Sequence, residues 1–219
     1  MKKVVVFTAV SFFTLAIALA EDLVPLKTEL PKPVFVGTPV PFKVPNLEPP
    51  IKGKRPDFMV PSGTVNLSLK KTVTGSDPEP INGSYDLVTD GDKAGDEGSY
   101  VEMKPGKQWV QIDLGQAANI YAVLAWHFHS QERVYFDVVA QVSDDPNFSK
   151  DVTTIYNNDH GNELGLGAGK DLNYIESYQG KLIDAKGAKG RYVRFYSKGN
   201  TTDKLNHYIE IEVWGKPAA

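Results

Sequence analysis

The sequence contains no cysteine, and this absence excludes several kinds of site at once. Disulfide bonds, thiolate nucleophiles, and zinc or iron–sulfur sites with cysteine ligands all need a residue that the chain lacks. A metal ion in this protein would therefore be held by oxygen atoms and imidazole nitrogen atoms. The 219 residues are long enough for one sizeable hydrophobic core.

The sequence also lacks an excess of basic residues. Its 24 lysines and arginines face 27 aspartates and glutamates, which gives a formal net charge of −3. Surfaces that bind phosphate normally carry a basic excess, so the composition disfavours nucleic acid and anionic membranes as generic partners. Hydrophobic residues make up 41% and charged residues 23%, which fits neither wholesale disorder nor a polytopic membrane protein.

One apolar run stands at the N-terminus. Lys2 and Lys3 precede an apolar stretch over residues 4–18, and a small-x-small cleavage pattern ends at Ala20. The pattern predicts a signal peptide over residues 1–20 that is cut after Ala20, and an uncleaved anchor is the alternative. The run is short for a transmembrane helix, which needs about 20 apolar residues. We therefore expect a periplasmic or secreted protein, whose net charge changes from −3 to −5 when the two lysines are removed.

Residues 21–61 form a proline-rich segment with 10 of the 15 prolines of the chain. Proline cannot donate to a β-ladder, so this composition predicts an extended, polyproline-like tether. In the alternative, the segment is a strap whose valines at positions 34, 36, 40 and 44 dock on the body as short edge strands. The shift in composition predicts a domain over residues 62–219, and we expect residues 64–216 to fold and bind without the tether.

The remaining sequence has the pattern of an all-β domain. Residues 109–114 alternate strictly, with Val110, Ile112 and Leu114 on one face and Trp109 and Asp113 on the other. Residues 120–128, 134–142, 192–196 and 208–214 are further runs rich in β-branched and aromatic residues. Turn residues separate the runs, as in a two-sheet sandwich or jelly roll. We expect a second layer to bury Trp109 and Asp113, because a large aromatic side chain is seldom left uncovered in a sandwich.

Five short motifs in this order resemble discoidin domains, also called coagulation factor 5/8 type C domains. They are residues 66–69 (NLSL), 87–92 (LVTDGD), 109–115 (WVQIDLG), 191–194 (RYVR) and 210–215 (EIEVWG). The resemblance covers about residues 64–216 and implies a galactose-binding-like jelly-roll β-sandwich with ligand-binding loops at one end. The sequence departs from the family in lacking its usual disulfide and in having Tyr100 where a tryptophan is usual.

The turn Asp90-Gly91-Asp92 carries two carboxylates close together. Calcium prefers six to eight oxygen ligands, which such a turn supplies in part. The resemblance to bacterial discoidin-type modules implies a structural Ca²⁺ between this turn and the glutamate that opens the last strand, here Glu210, with Ser99 as a further ligand. The alternative is an ordinary Asx turn, with Glu210 solvated or paired with a lysine.

A second constellation follows the run 120–128. His127 and His129 alternate on one strand face, so their imidazoles can converge, and Arg133 follows in what we expect to be an exposed loop. The pattern resembles the first motif of cupins, but Glu132 comes too early and no later strand supplies a third histidine. In discoidin domains this strand and loop contribute to the ligand face. The alternative is that both histidines have structural partners.

Asn206 and His207 precede the last strand and are expected to neighbour the first histidine pair. Side chains of these types hydrogen-bond to vicinal hydroxyl groups, and an aromatic ring covers an apolar sugar face. The sequence isolates no pair of carboxylates and no Ser-His-Asp set. We therefore expect a non-catalytic module that binds carbohydrate of a cell surface or extracellular polymer. A protein-binding or assembly module of the same fold is the alternative, followed by a cupin-type metalloenzyme.

Overall fold

The structure, a computed structural model, describes residues 21–34 and 41–218, and the predicted signal peptide lies outside these residues. This part of the chain contains strands and one short 3₁₀ helix, and none of its helices is long and apolar enough to cross a membrane. The strands are β1 (Leu23–Pro25), β2 (Met59–Pro61), β3 (Val65–Asn66), β4 (Thr72–Gly75), β5 (Val101–Met103), β6 (Gln108–Trp126), β7 (Val139–Ser143), β8 (Thr153–Asn157), β9 (Lys181–Ser197), β10 (Asn206–Tyr208) and β11 (Glu210–Pro217). The 3₁₀ helix spans Tyr85–Thr89.

Most strands belong to one antiparallel sheet in the order β3-β11-β6-β9-β7-β8. The 19-residue β6 pairs with β4 through its first half and with β11 through its second half, and β9 pairs with both halves. The sequence predicted separate strands on either side of Gly115. In the structure they form one strand with a register shift between Asp113 and Ala118, where Gly115 has a φ of +85°. Glycine reaches this left-handed conformation without a steric penalty.

The core lies between the large sheet and the small antiparallel sheet of β5 and β10. Val110, Ile112 and Leu114 are buried in it, as their alternation predicts. Trp109 and Asp113, on the other face, are only half-buried, so the expected burial by a second layer is wrong. Arginine side chains cover them instead: Arg191 donates two hydrogen bonds to the Asp113 carboxylate, at 2.6 and 2.7 Å, and the Arg194 guanidinium carbon lies 4.4 Å from the Trp109 ring centroid.

The described parts of the proline-rich segment dock on the sandwich. Its first part contains β1, which pairs antiparallel with β2 in the same segment. Leu26 packs on an apolar cluster of Leu124, Trp126 and Ile209. Thr28 donates a 2.7 Å hydrogen bond to the Glu212 carboxylate. The segment thus contacts the sandwich, but not through the valines expected to form edge strands: Val34 and Val44 lie in no strand, and Val36 and Val40 lie outside the described residues.

The second part of the segment is held by residues 173–181. Leu47 forms a parallel bridge with Asn173, and Glu48 forms a 2.6 Å ion pair with Lys181. The Arg55 guanidinium donates to the backbone carbonyls of Gln179 and Gly180. We refer to the described residues 21–34 and 41–61 as the strap.

Candidate functional site

His127 follows directly on β6 and is fully buried. Its Nδ1 lies 2.7 Å from the Glu176 carboxylate, and its ring stacks on Tyr135 with a centroid distance of 4.3 Å. A side chain without solvent exposure cannot reach a ligand at the surface unless the fold opens. The structure thus places His127 as a packing residue with a structural partner.

His129 is also buried, with 3% of its surface exposed, but it has different partners. Its Nε2 lies 2.9 Å from the backbone carbonyl of Lys93. The imidazoles of His127 and His129 therefore share no hydrogen-bonding partner. Over residues 21–34 and 41–218, the structure brings no three His, Asp or Glu side chains together in a group able to hold a metal ion.

Arg133 is buried, which makes the expectation of an exposed loop arginine wrong. The guanidinium donates a 2.9 Å hydrogen bond to the Asp203 carboxylate. Its central carbon lies 4.5 Å from the centroid of the Phe128 ring, a geometry that stabilises a cation over an aromatic face. Arg133 thus supports Phe128 from within the protein.

The Asn206 side chain is fully engaged by the fold. Its oxygen accepts from the Ser197 hydroxyl and the Gly199 amide, and its nitrogen donates to the carbonyls of Lys104 and Gly106, all at 2.8–3.1 Å. An amide side chain offers two donors and two acceptors, so these four bonds leave few sites for a ligand. Asn206 holds the turn between β9 and β10 against the β5 loop.

His207 lies between Tyr135 and Glu102, with nitrogen–oxygen distances of 2.9 and 3.2 Å. Burial lowers the pKa of His207 to about 4, the Arg133 guanidinium lowers it further, and Asp203 opposes this shift in part. The imidazole is therefore neutral at pH 7. Its ring centroid lies 5.6 Å from that of Tyr100 and 5.9 Å from that of Phe128, directly linking it to these two rings.

Tyr100 and Phe128 form the aromatic wall of a surface groove of about 290 Å³. Both rings are half-buried and meet edge to face, with centroids 5.3 Å apart. The groove is lined by Val34, Gly95, Asp96, Glu97, Tyr100, Phe128, Ser130 and Gln131. Asp96, Glu97 and Gln131 are exposed and contribute the polar groups. We call this feature the Tyr100–Phe128 groove.

Small-ligand sites combine apolar and aromatic walls with a few polar groups that fix orientation, and the groove has this composition. From the segment after β6, the residues that line the groove are the half-buried Phe128, Ser130 and the exposed Gln131, and not the histidines or Arg133. Phe128 and Tyr100 were not among the site residues predicted from the sequence. The signal was present, because strict alternation places Phe128 opposite His127 and His129.

Beyond the groove, the acidic turn and the last strand come together as the resemblance implies. Glu210 is fully buried at the start of β11, and one carboxylate oxygen accepts a 3.1 Å hydrogen bond from the Gly91 amide. The other oxygen, Oε1, has no hydrogen-bonding partner in the described residues. Burial raises the pKa of Glu210 to about 8, and charge repulsion from Glu212 and, to a smaller extent, from Asp90 adds to this shift.

The three predicted calcium ligands fit a cation unequally. The unpartnered Glu210 oxygen is a position where a cation would stabilise the charged form of a carboxyl group that burial disfavours. Asp92 is exposed, and its carboxylate accepts from the Ala94 amide and the Ser99 hydroxyl at 2.9 and 3.0 Å. Lys93 forms an ion pair with Glu212, at 2.7 Å, and not with Glu210. Glu210 and Asp90 therefore fit the expected calcium site better than Asp92 does.

Comparisons with protein-family models and with curated proteins find no match for this chain. Solved structures do match. A family 89 glycoside hydrolase from Clostridium perfringens, in complex with GlcNAc-α-1,4-galactose, is 20% identical with a TM-score of 0.52, over 70% of this chain and only 15% of that one. The CBM32 of AlyQ in complex with 4,5-unsaturated mannuronic acid is 18% identical with a TM-score of 0.47, over 65% of this chain and 92% of that one.

A third match is chitosan-binding module 1 of a chitosanase/glucanase from Paenibacillus sp. IK-5. It is 22% identical with a TM-score of 0.42, over 69% of this chain and 99% of that module. At these identities a structural match informs on the fold. The antiparallel strands described above and the match to the hydrolase confirm the prediction from sequence. The chain has an all-β fold, a jelly-roll β-sandwich.

Proposed function

We propose that this protein is an exported, non-catalytic module that binds carbohydrate of a cell surface or extracellular polymer through the Tyr100–Phe128 groove. The observation that carries the proposal is the pair of half-buried rings, 5.3 Å apart, beside the exposed polar groups of Asp96, Glu97 and Gln131. The rings provide a surface for the apolar face of a sugar, and the polar groups provide partners for its hydroxyls. The matched solved structures include modules whose names state that they bind carbohydrate.

A glycan array with the mature chain tests this proposal. A reproducible sugar hit that weakens when Phe128→Ala is introduced supports it. The matched control is Tyr192→Ala, which removes a half-buried ring from β9, outside the groove. Loss of binding in the control but not in Phe128→Ala would place the site elsewhere.

One observation favours a second candidate, a protein-binding or assembly module of the same fold. Leu23, Val24, Met59 and Val65 are 39–58% exposed. They lie on the neighbouring strands β1 and β2 and on β3, which follows β2 closely in the chain. Grouped exposed apolar side chains are typical of protein interaction sites. Copurification of a specific protein that is lost with Met59→Ser, in the absence of any glycan hit, would favour this function.

A bound Ca²⁺ is part of the proposal. Glu210 would hold it through the unpartnered Oε1, with Asp90 and backbone carbonyls of the acidic turn, and Asp92 as a further candidate. The ion would supply structural stability by neutralising a buried carboxylate. Because a ligand of the native state stabilises by mass action, millimolar calcium should raise the melting temperature and a chelator should lower it. Asp90→Ala should remove the difference, and identical melting curves in calcium and chelator would exclude the site.

We also propose that the protein is exported. The N-terminal pattern of residues 1–20 supports a signal peptide, with cleavage after Ala20. Mass spectrometry of protein from the medium or periplasm should give a chain that starts at Glu21. An intact N-terminus in the membrane fraction would favour the uncleaved anchor.

A further inference from the structure

The rim of the Tyr100–Phe128 groove is acidic. Asp96 and Glu97 line the groove together with Gln131, whose side-chain oxygen accepts a 3.1 Å hydrogen bond from Arg133. Both carboxylates are exposed, and among the described residues neither takes part in a salt bridge. Their negative charges are therefore offset by solvent and not by the protein.

The layer beneath the rings does not compensate this charge. Arg133 supplies one positive charge under Phe128, but Asp203 accepts its hydrogen bond. Glu102 lies next to His207, whose imidazole is neutral at pH 7 because burial lowers its pKa to about 4. The groove and its supporting layer thus hold more carboxylates than cations.

The aromatic wall of the groove also favours a positively charged ligand. The faces of tyrosine and phenylalanine rings attract cations through the ring quadrupole, and the interaction strengthens when water is removed. Phe128 already uses one face for the Arg133 guanidinium, while Tyr100 meets the Phe128 and His207 rings in edge-on geometry. A positively charged group in the groove would therefore interact favourably with both the rings and the rim carboxylates.

We propose that the groove selects a cationic carbohydrate, an amino sugar with a free ammonium group, and discriminates against uronic acids and other anionic sugars. The charge distribution around Asp96 and Glu97 carries this inference, which rests on the proposed carbohydrate-binding function. Complementary charge at a binding site raises affinity for the matching ligand, and like charge adds a repulsive element against the competitor.

Calorimetric titration of the mature chain with three oligosaccharides of equal length tests the inference. The probes are an oligomer of glucosamine, an oligomer of N-acetylglucosamine and an oligomer of a uronic acid. The glucosamine oligomer should bind most tightly and the uronate oligomer most weakly. Added salt should reduce this difference in affinity, because it screens the charges. The preference should also disappear at alkaline pH, where the amino sugar loses its proton. Equal affinity for the cationic and neutral oligomers would overturn this inference alone, whereas no binding of any sugar on a broad glycan array would overturn the proposed function.

Variants identify the carboxylates responsible. Asp96→Asn and Glu97→Gln should each weaken binding of the glucosamine oligomer about two- to fivefold at low salt, the range of exposed ion pairs. Binding of the neutral oligomer should weaken less, because the substituted amides still hydrogen-bond to hydroxyl groups but carry no charge. Asp144→Asn and Glu79→Gln are the controls, because these exposed carboxylates lie outside the groove. The selection by charge would be contradicted if a chain with both Asp96→Asn and Glu97→Gln bound the glucosamine oligomer as tightly as wild type. An equal loss of affinity for the neutral oligomer would contradict it as well.

Discussion

The central carbon of the Arg133 guanidinium lies 4.5 Å from the centroid of the Phe128 ring, and the same guanidinium donates to Asp203. In the segment after β6, Arg133 therefore supports an aromatic ring and does not face the solvent. The residues expected to contact a ligand, His127, His129 and Arg133, are buried and form the support. The ring that Arg133 supports is half-exposed at the groove.

Replacing Arg133 should affect stability before it affects binding. Arg133→Ala removes the charged partner of Asp203, which keeps hydrogen bonds from Asn200 and Leu205, and it removes the cation from Phe128. We expect a loss of about 1–3 kcal/mol in the free energy of unfolding, because a partly buried charge loses its hydrogen bond. Urea denaturation measures this loss. Asp144→Asn is the control for an exposed charge, and an Arg133→Ala chain as stable as wild type would contradict the burial.

Among the paired acidic and basic side chains of residues 21–34 and 41–218, His127 and Glu176 are the pair in which both side chains are at 0% exposure. His127→Ala removes the partner of a buried carboxylate and leaves a cavity beside Tyr135. We expect a loss of about 3–5 kcal/mol, the range for breaking one side of a buried pair. His160→Ala, at a partly exposed loop position, should cost far less. Similar losses in both variants would argue against the pairing.

His207 should make the protein less stable in acid. Burial lowers its folded-state pKa to about 4, below the ordinary value of 6.5, so the unfolded chain binds more protons between these pH values. The free energy of unfolding should therefore fall as pH decreases from about 6.5 to 4, by up to about 3 kcal/mol from this group. The stability difference between wild type and His207→Gln, measured by denaturation from pH 4 to 7, should shrink as the pH falls. A difference that is constant across this range would show that His207 does not titrate as described.

Arg55 should tie the strap to the sandwich. Its guanidinium donates to the carbonyls of Gln179 and Gly180, and its backbone amide donates to the Gln179 side chain at 3.0 Å. Arg55→Ala should lower the free energy of unfolding by about 1–3 kcal/mol, because buried acceptors lose a charged donor. Lys52→Ala, an exposed change in the same segment, is the control. A chain that starts at Ser62 should be destabilised further, and equal stability of this chain and the mature protein would favour a dispensable tether.

The fold could be predicted because the signals for it are local. Alternation in residues 109–114 identified the buried face of β6, and the Asp-Gly turn and final Glu-Ile-Glu-Val-Trp run come together at Gly91 and Glu210 as the resemblance implies. The continuity of β6 through Gly115 could not be predicted, since a glycine after alternating residues usually marks the end of a strand.

The site was harder to predict because polarity alone does not determine exposure. His127 and Arg133 have residue types common in binding sites, but Glu176 and Asp203, 49 and 70 residues away, provide partners that allow their burial. Such pairings depend on tertiary structure. The docking of the proline-rich strap was likewise open, because its hydrogen bonds to Asn173 and Gln179 involve groups distant in sequence.

The most direct test of the central claim is a calorimetric titration of the mature chain and its Phe128→Ala variant with the sugar identified on the glycan array. We expect the Phe128→Ala variant to keep its β-sheet circular dichroism spectrum and to bind at least about tenfold more weakly, equivalent to about 1.4 kcal/mol. Tyr192→Ala should bind as wild type does. A Phe128→Ala variant that is folded and binds the sugar with wild-type affinity would contradict the assignment of carbohydrate binding to the Tyr100–Phe128 groove.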